Sequence, residues 1–421
     1  MTLLKSLPGF VNAHTHSPYG PQYAGVTGTQ PFESYVIDIT VRQKDPYTPQ
    51  ELAAFALVTG LDNLSSGNTA IIDQCYLPLT SEAVYAVARA YEQLGLRAWI
   101  FTELSDMPFM VYTREAYPNF SRAIPLRQLP EELQLLCTVE LDYRDQLTAV
   151  RNIIKNWHGR QVRLGIGLSN AVWCSDDLLS AATALAREMD VPLTMHVEES
   201  PMQHGVHLAQ WGMSAIPRLE KLGLLSSRIL LSHVVQVDDA DIATLAKYDV
   251  SVSHNPTSNL KLRNGIFPAG KMIRQGVNVC LGTDGHSSGD SQSLFPVIEI
   301  FVALGELNGL FALDGEPEAI ALKLAVDNGH KLWFDGDLSQ DRMEFSSPVG
   351  PYAFVWDNPA CKIEEVIING SPCLQKAREI IRESGADKIV IDHMAKLTDP
   401  EVECRAKAAV KAVMTAYNRG T

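Results

Sequence analysis

The sequence predicts a protein of the α/β class built on a single (β/α)8 barrel (TIM barrel), and three observations favour this fold. The chain has 421 residues, which is enough for a barrel of about 250 residues and a small accessory unit. Short apolar runs alternate with helical stretches, a pattern typical of a parallel sheet buried on both faces. No run is followed by a GxGxxG or GxxxxGK[ST] motif, so a nucleotide-binding open sheet loses its main support.

Eight apolar runs rich in valine, isoleucine and leucine are the predicted barrel strands. They span residues 8–16, 69–76, 97–104, 162–168, 192–199, 229–235, 250–256 and 277–285. Helix starts separate them. The stretch Thr48-Pro-Gln-Glu51 is a capping box with proline at the first helical position, and Asp238 with Asp241 forms an acidic version. These signals predict helices beginning at about 49 and 239.

The part of the chain after the eighth run predicts a different organisation. Segments 351–356 and 362–369 resemble two strands of a small β unit, and a helical tail is expected from about residue 375. We therefore expect three parts: a barrel over 1–335, a reduced β accessory unit over 336–374 and a helical tail over 375–421. Segment 401–417 is alanine-rich with charges at helical spacing, as in a packing or oligomer-contact helix.

Composition and charge exclude several classes of function. Apolar residues make up 46 % and charged residues 20 %, which is ordinary for a globular protein. A net charge of −14 repels phosphate backbones, so nucleic acid is not an expected partner. The sequence predicts no signal peptide and no membrane span, and a cytoplasmic location. Seven cysteines without a CxxC pair argue against a zinc ribbon or a thioredoxin-type motif.

Histidines and carboxylates recur near the ends of the predicted strands, where (β/α)8 barrels place their active sites. His14 and His16 are two residues apart on one strand, so both imidazoles point to the same side. Later runs add His196 and Glu199 at the fifth, His233 at the sixth and Asp284 at the eighth. This joint placement predicts a metal centre.

Three imidazole nitrogens and one carboxylate suit Zn²⁺ or Fe²⁺ and leave an open position for water. Such an ion lowers the pKa of the water it binds to about 7. A general base must then accept the water proton and deliver it to the leaving group. Glu199, beside the expected metal, is the candidate for this base.

The same residues stand in motifs that resemble the amidohydrolase superfamily. The nearest branch holds 5′-methylthioadenosine/S-adenosylhomocysteine deaminases, guanine deaminases and triazine hydrolases. The resemblance covers about residues 8–330, and its motifs are specific as a group. They are PGFVNAHTH at 8–16, MHVEE at 195–199, SH at 232–233, SHNPTSNL at 253–260 and GVNVCLGTDG at 276–285.

The resemblance implies a fold of the metal-dependent hydrolase type and a role for each motif residue. One divalent metal ion, with zinc preferred over iron, would be bound by His14, His16, His196 and Asp284. His233 would polarise the substrate or position the water, and Glu199 would shuttle the proton. The catalytic set is therefore Glu199, His233 and Asp284.

Departures from the family pattern refine these expectations. The fourth run, 162–168, lacks the lysine with which binuclear relatives bridge two metals, so we expect one ion. Ser169 and Asn170 follow Leu168 where adenosine-type deaminases usually carry Pro-His. With His254, in the polar loop after the seventh run, and His286, just after the eighth, they are the expected substrate contacts.

A further departure lies outside the barrel motifs. Relatives carry about fifty residues before the barrel, whereas this chain starts almost at the first strand. We expect a reduced accessory domain, with the C-terminal strands and tail covering the exposed face. The sequence leaves open the role of Asp73 near the end of the second run.

The leading functional hypothesis is hydrolytic deamination of an amino-substituted nitrogen heterocycle by metal-activated water. The ring would be a purine, pterin, pyrimidine or triazine. One alternative is hydrolysis of a cyclic amide or of a chlorotriazine at the same site. A second is an inactive barrel that serves as a binding or assembly subunit. The expected partners are a small-molecule substrate and a second copy of the chain, since a dimer is favoured.

Overall fold

The computed structural model describes residues 3–43, 46–108, 111–138, 142–334 and 336–419. Within them, eight parallel strands follow one another in chain order around a barrel. The barrel is closed where the Asp284 amide donates to the His14 carbonyl at 2.9 Å. The predicted barrel fold is therefore confirmed. The barrel strands are β2 (Phe10–Thr15), β3 (Asn68–Cys75), β4 (Arg97–Leu104), β5 (Val162–Asn170), β6 (Leu193–Val197), β7 (Ile229–His233), β8 (Ser251–His254) and β9 (Asn278–Leu281).

A second, four-stranded antiparallel sheet forms the accessory unit, and it includes the start of the chain. Its order is β1 (Leu4–Pro8), β10 (Arg342–Val349), β11 (Ile363–Ile368) and β12 (Ser371–Pro372). The first predicted run is therefore split between two sheets. The division falls at Gly9, where a Cβ would lie 2.3 Å from the side chain of Thr69. Only glycine allows the chain to pass this close to the next strand.

The strand predicted over 351–356 is wrong, because those residues contain a short helix, α16 (Ala353–Trp356). The strand that pairs with β11 lies earlier, at β10, where Met343 and Phe345 are buried at alternate positions. The two serines and the proline that follow, at 346–348, obscured this alternation in the sequence. The strand predicted over 362–369 is confirmed as β11. The expected three-part division stays a prediction, and residue 335, at its first boundary, lies outside the described residues.

Helices follow the barrel strands and begin at the predicted caps. Thr48 caps one helix through a complete capping box, and Asp238 caps another in the same way. The helices of the barrel are α1 (Phe32–Arg42), α2 (Pro49–Ser65), α3 (Ser81–Leu94), α4 (Glu131–Thr138), α5 (Tyr143–Lys155), α6 (Asp176–Met189), α7 (Pro201–Trp211), α8 (Ala215–Lys221), α9 (Asp239–Lys247), α10 (Pro256–Lys261), α11 (Ala269–Arg274), α12 (His286–Gly289), α13 (Leu294–Ala303), α14 (Gly305–Asn308) and α15 (Pro317–Ala325).

The C-terminal residues form the expected helical tail. Its helices are α17 (Leu374–Ser384), α18 (Ala386–Leu397) and α19 (Pro400–Arg419), and they follow α16 (Ala353–Trp356). α17 and α18 pack on α2, whereas α19 packs along α1. No helix within the described residues combines the length and apolar character needed to cross a bilayer.

Two apolar cores divide the interior above and around the barrel. The larger joins the barrel strands to the surrounding helices. The smaller, which we call the cap core, joins α1, residues 111–133 and α19, and includes Val36, Tyr112 and Tyr417. The amide of Tyr112 donates to the Tyr417 hydroxyl at 2.7 Å. Because α1 follows the carboxyl end of β2, the last helix of the tail supports the cap over the active-site end of the barrel.

Candidate active site

Four histidines and one aspartate converge at the carboxyl ends of β2, β6, β7 and β9. The Nε2 atom of His16 lies 3.1 Å from Nε2 of His196 and 3.2 Å from Oδ1 of Asp284. Nε2 of His14 lies 3.6 Å from the same Oδ1, and the His14 ring centre is 5.5 Å from that of His233. The structure thus brings the four residues expected as metal ligands within reach of one point.

Hydrogen bonds behind each ring fix which nitrogen faces that point. In His14, His16 and His196 alike, the Nδ1 atom meets an oxygen of another barrel strand, which leaves Nε2 directed inward. These oxygens are the Ser232 hydroxyl at 3.0 Å from His14, the Gln74 carbonyl at 2.5 Å from His16, and the Ser169 carbonyl close to His196. The three inward Nε2 lone pairs are therefore held in the arrangement that a metal ligand set requires.

The chemistry of this donor set fits a divalent cation. His14 Nε2 is buried and has no hydrogen-bond partner in the described part of the chain. His16 and His196 point Nε2 at each other, an arrangement that is unfavourable unless a positive charge lies between them. His14, His16 and Asp284 offer ligand atoms that all lie within 4.8 Å of one another. A mixed nitrogen and carboxylate set of this kind is typical of zinc and related transition metals.

The ionisation of the cluster follows from burial and from one carboxylate. Burial, followed by the charges of the neighbouring histidines, holds the pKa of His14 and His196 well below the usual value. Burial also lowers the pKa of His16, but its hydrogen bond and charge pairing with Asp284 outweigh this and raise it to about 9. Burial raises the pKa of Asp284, yet the histidines hold it well below the usual range. Asp284 therefore stays anionic and attracts positive charge.

Unusual backbone conformations position Asp284 and His233. Their φ angles are +64° and +73°, a left-handed region that non-glycine residues rarely adopt outside functional sites. Ser258 donates to Oδ2 of Asp284 at 2.6 Å, which leaves Oδ1 facing the histidines. His233 Nδ1 lies 2.9 Å from Oδ1 of Asn259. Its Nε2 is then directed to the space between Asp284 and Glu199, 4.0 and 3.8 Å away.

Glu199 is a buried carboxylate held by two amide side chains. Asn264 donates to Oε1 at 3.1 Å and Gln203 donates to Oε2 at 3.4 Å. Burial, reinforced by the charge of Asp284, raises the pKa of Glu199 well above its usual value. A carboxyl group whose protonated form is favoured in this way is suited to take up a proton and pass it on.

A narrow cavity of about 90 Å³ lies over the cluster. Its floor is polar and includes His16, His196, Glu199, His233 and Asp284, while aromatic side chains form much of its wall. Phe32 and Trp173 stack with ring centres 6.1 Å apart and an interplanar angle of 21°. An aromatic wall beside a polar floor suits a flat ring with polar edges.

Of the four residues expected to contact substrate, the structure places one in the wall of this cavity. Ser169 lines the cavity. Three others do not line it, and each has a local partner: Asn170 accepts from the Val172 amide at 3.0 Å, the His254 ring stacks on Phe267 at 4.3 Å, and His286 Nε2 lies 2.9 Å from Asp62. Asn170, His254 and His286 thus have structural contacts in this structure, and their role as substrate contacts stays a prediction.

Asp73, whose role the sequence left open, also has hydrogen-bond partners nearby. Its carboxylate accepts from the Tyr91 hydroxyl at 2.6 Å and from the Ser17 amide at 3.0 Å. Tyr91 belongs to α3, so these bonds tie the end of β3 to the helix outside the barrel. Asp73 is absent from the cavity wall, and a structural role accounts for it.

Glu103 is a site residue that the motif analysis missed. It lies near the end of β4, lines the cavity, and places Oε1 3.8 Å from Nδ1 of His16. Burial is the main cause that raises its pKa to about 7. The rule that singled out Asp284, a carboxylate at a strand end, applies equally to Glu103 in the run 97–104 and could have found it.

The barrel and its strand-end cluster define a metal-dependent hydrolase fold. The model of the amidohydrolase family matches residues 6–313, so the chain belongs to this family. A 5-methylthioadenosine/S-adenosylhomocysteine deaminase from Thermococcus kodakarensis is 27 % identical over 324 residues, which cover 77 % of this chain and 68 % of the relative. A 5′-deoxyadenosine deaminase from Methanothermobacter thermautotrophicus is 28 % identical over 305 residues, 72 % of this chain and 63 % of the relative.

Solved structures share the fold. An adenosine deaminase from Xanthomonas campestris with bound zinc has a TM-score of 0.73 at 21 % identity, covering 91 % of this chain and 86 % of its own. An atrazine chlorohydrolase from Arthrobacter aurescens complexed with zinc has a TM-score of 0.73 at 19 % identity, covering 93 % and 88 %. A guanine deaminase from C. acetobutylicum has a TM-score of 0.67 at 17 % identity, covering 87 % and 86 %.

Proposed function

We propose that this chain is a metal-dependent hydrolytic deaminase of an amino-substituted nitrogen heterocycle. The observation that carries the proposal is the convergence of the histidine and aspartate cluster with Glu199 below a narrow, aromatic-walled cavity. The relatives named as deaminases of adenosine-type compounds support the same reaction class. The inactive-barrel alternative loses ground, because a decayed site has no reason to retain the metal and proton-transfer residues together.

The residues that would hold the metal are His14, His16, His196 and Asp284. We propose one zinc ion, since the described β5 strand carries no lysine that could bridge a second. When bound, such an ion supplies Lewis acidity, which acidifies water and polarises the bond under attack. The residues around it must then orient the water and move protons.

His233 is suited to orient the attacking water. Burial lowers its pKa, so the ring is neutral. Its Nδ1 donates to the Asn259 side-chain oxygen at 2.9 Å, which leaves the Nε2 lone pair free to accept a hydrogen bond. A water held in this way lies between His233 and Asp284, within reach of Glu199.

Glu199 is suited to move the proton. It takes the first proton of the attacking water and delivers it to a ring nitrogen. It then takes the second proton, from the hydroxyl now on the ring carbon, and delivers it to the amine, so that the carbon–nitrogen bond breaks and ammonia is released. Burial favours its protonated form, and the Asn264 and Gln203 amides stabilise its charged form. A balance between the two forms is what a proton shuttle needs.

An ammonia-release screen tests the proposal. The zinc-reconstituted protein is incubated with aminopurines, aminopterins, aminopyrimidines and aminotriazines, and ammonia and ring products are quantified. We expect ammonia and the corresponding ring oxo product from at least one class. Chloride from chlorinated rings, or ring-opened acids from cyclic amides, without ammonia from any aminated ring would contradict deamination. A dimeric assembly stays a prediction that size-exclusion chromatography with light scattering would check.

A further inference from the structure

A second, roomier cavity adjoins the cavity over the metal cluster. Its volume is about 480 Å³, against about 90 Å³ for the first. The two cavities share four wall residues, Tyr19, Thr40, Tyr76 and Glu103. Ligand sites commonly enclose about 300–1,000 Å³. The narrow cavity alone is below this range, which indicates that a ligand seated on the cluster extends past these four side chains.

Glu103 lies at this junction because of its place on β4. Trp99, Phe101 and Glu103 alternate along the strand, and the first two belong to the apolar cluster inside the barrel. Glu103 therefore projects to the same side, one layer nearer the mouth. Its side chain is 9 % exposed. Among the described lining residues, Glu103 is the one carboxylate that belongs to both cavities.

The wall of the larger cavity is mainly apolar. It includes Leu52, Leu77, Leu79 and Leu136, together with tyrosines and prolines, and no lysine or arginine occurs among its described lining residues. A phosphate or carboxylate bound there would lack a cationic partner and would face Glu103. An uncharged apolar group suits this wall.

The polar wall groups are largely used within the protein. Gln146 exchanges hydrogen bonds with the backbone of Ser105, accepting at 3.3 Å and donating at 2.9 Å. Thr40 donates to the Val36 carbonyl at 2.8 Å. Ser169 and Gln74 hydrogen-bond to the Glu103 carboxylate, and its remaining lone pairs can accept from a ligand that passes from one cavity to the other.

We propose that Glu103 selects substrates in which an uncharged, apolar substituent is joined to the ring through an N–H group. The carboxylate accepts a hydrogen bond from this N–H at the junction, while the substituent fills the larger cavity. This specificity role rests on the proposed function for the ring and its amine, and it adds the class of substituent. Glu103 here is a residue that touches substrate and leaves the reacting bond to others.

The geometry argues against a role for Glu103 as a ligand of a second metal. The nearest nitrogen, Nδ1 of His16 at 3.8 Å, already lies 2.5 Å from the Gln74 carbonyl. His16 and His196, with which Glu103 could form a cluster, direct Nε2 to the first ion. A second ion would therefore have to share both histidines with the first.

The test measures binding with matched probes, so that it needs no turnover. Aminopurine and aminotriazine cores, with hydrogen in place of the leaving amine, carry a hexylamino, a hexyloxy or a carboxypentylamino group. Isothermal titration calorimetry with the zinc-loaded protein is expected to show the hexylamino probe binding about 10- to 100-fold more tightly than the hexyloxy probe. The carboxypentylamino probe is expected to bind more weakly than the hexylamino probe.

Variants test whether Glu103, at the junction of the two cavities, causes the preference for the hexylamino probe. Glu103→Ala should abolish the hexylamino preference and leave the zinc content unchanged, whereas Glu103→Gln should keep part of it, since an amide oxygen still accepts. Leu79→Phe, which narrows the larger cavity, should weaken the binding of the hexyl-bearing probes. It should leave the binding of otherwise identical probes with a methyl group in place of hexyl unchanged. Glu82→Gln, at an exposed position on α3, serves as the matched control.

Four results would overturn the proposal. They are equal binding of hexylamino and hexyloxy probes, an unchanged preference in Glu103→Ala, no binding of any hexylamino probe, and two zinc ions per chain with the second lost in Glu103→Ala. Failure of the proposed deamination is separable from these results. It would appear as probe discrimination without ammonia from any aminated ring, in which case the specificity role would stand alone.

Discussion

The metal cluster and the cap that covers it are built in different ways. The cluster is polar, and each of its histidine ligands is held by a hydrogen bond to another barrel strand, such as that between Ser232 and His14. The cap is apolar and is held by packing between α1, residues 111–133 and α19. Polar groups held in a fixed geometry are suited to catalysis, whereas a packed apolar wall is suited to ligand binding. The comparison predicts that changes in the cluster impair the reaction itself, whereas changes in the cap mainly impair ligand binding.

The largest effect is expected in the cluster half of this comparison. Glu199→Gln keeps the size of the side chain but removes its proton-transfer capacity, so kcat should fall about 10²- to 10⁴-fold while zinc remains bound. Steady-state kinetics and elemental analysis of the same preparation check this. Glu379→Gln, at an exposed position on α17, is the control. Near-normal turnover of Glu199→Gln with zinc bound would remove Glu199 from the mechanism.

The role of the cap in this comparison is tested by the substitution Tyr417→Ala. Tyr417 is fully buried in the cap core and accepts from the Tyr112 amide. Its truncation should cost about 3–5 kcal/mol of stability and loosen α1, raising KM more than it lowers kcat. Zinc content should not change. Tyr417→Phe keeps the ring and should cost only about 1 kcal/mol. Thermal unfolding, kinetics and limited proteolysis of α1 provide the measurements, and a loss of zinc in Tyr417→Ala would contradict the independence of cap and cluster.

The segment that joins cluster and cap contains a pH-sensitive group. Burial lowers the pKa of His207 to about 4, and both ring nitrogens lack hydrogen-bond partners within the described residues. A histidine with a lowered folded-state pKa stabilises the fold fully above about pH 6.5, and this contribution is lost as pH falls towards 4. The loss should reach about 3 kcal/mol. His207→Phe should flatten the stability profile between these pH values, as followed by urea unfolding, and an unchanged slope would contradict the assignment.

The smallest effect concerns the support of one ligand. Ser232 contacts Nδ1 of His14, so Ser232→Ala should leave the ring free to turn and weaken zinc affinity about 10- to 100-fold. Competition with a chromogenic chelator measures this affinity. Ser253→Ala, on the next strand and bonded to Asn255 instead of a ligand, is the matched control. Equal zinc affinity in both variants would show that Ser232 is dispensable for orienting His14.

The strand-end residues were predictable from the sequence because each one follows a short apolar run. His14, His196 and Asp284 needed only the position of a strand end and the rule that such ends meet at one face. Glu103 obeyed the same rule but lacked a family motif. By contrast, His254 has a motif position yet packs on Phe267, because burial at 2 % exposure leaves its ring among apolar neighbours.

The cap and the accessory sheet were not predictable in the same way. They depend on contacts between segments far apart in the chain, such as Tyr112 with Tyr417 and Leu7 with Met343. Local patterns carry no information about which distant segment a helix or strand will meet. The tail was correctly expected to be helical, but its position against α1 follows only from the packed structure.

Zinc stoichiometry tests the central claim most directly. The zinc-reconstituted protein, dialysed free of excess metal, is compared with His14→Ala and Asp284→Ala by elemental analysis, with circular dichroism to confirm folding. The expected result is close to one zinc ion per wild-type chain and almost none in either variant. A folded wild-type protein that retains no zinc, or variants that retain as much as the wild type, would contradict a metal centre at these strand ends.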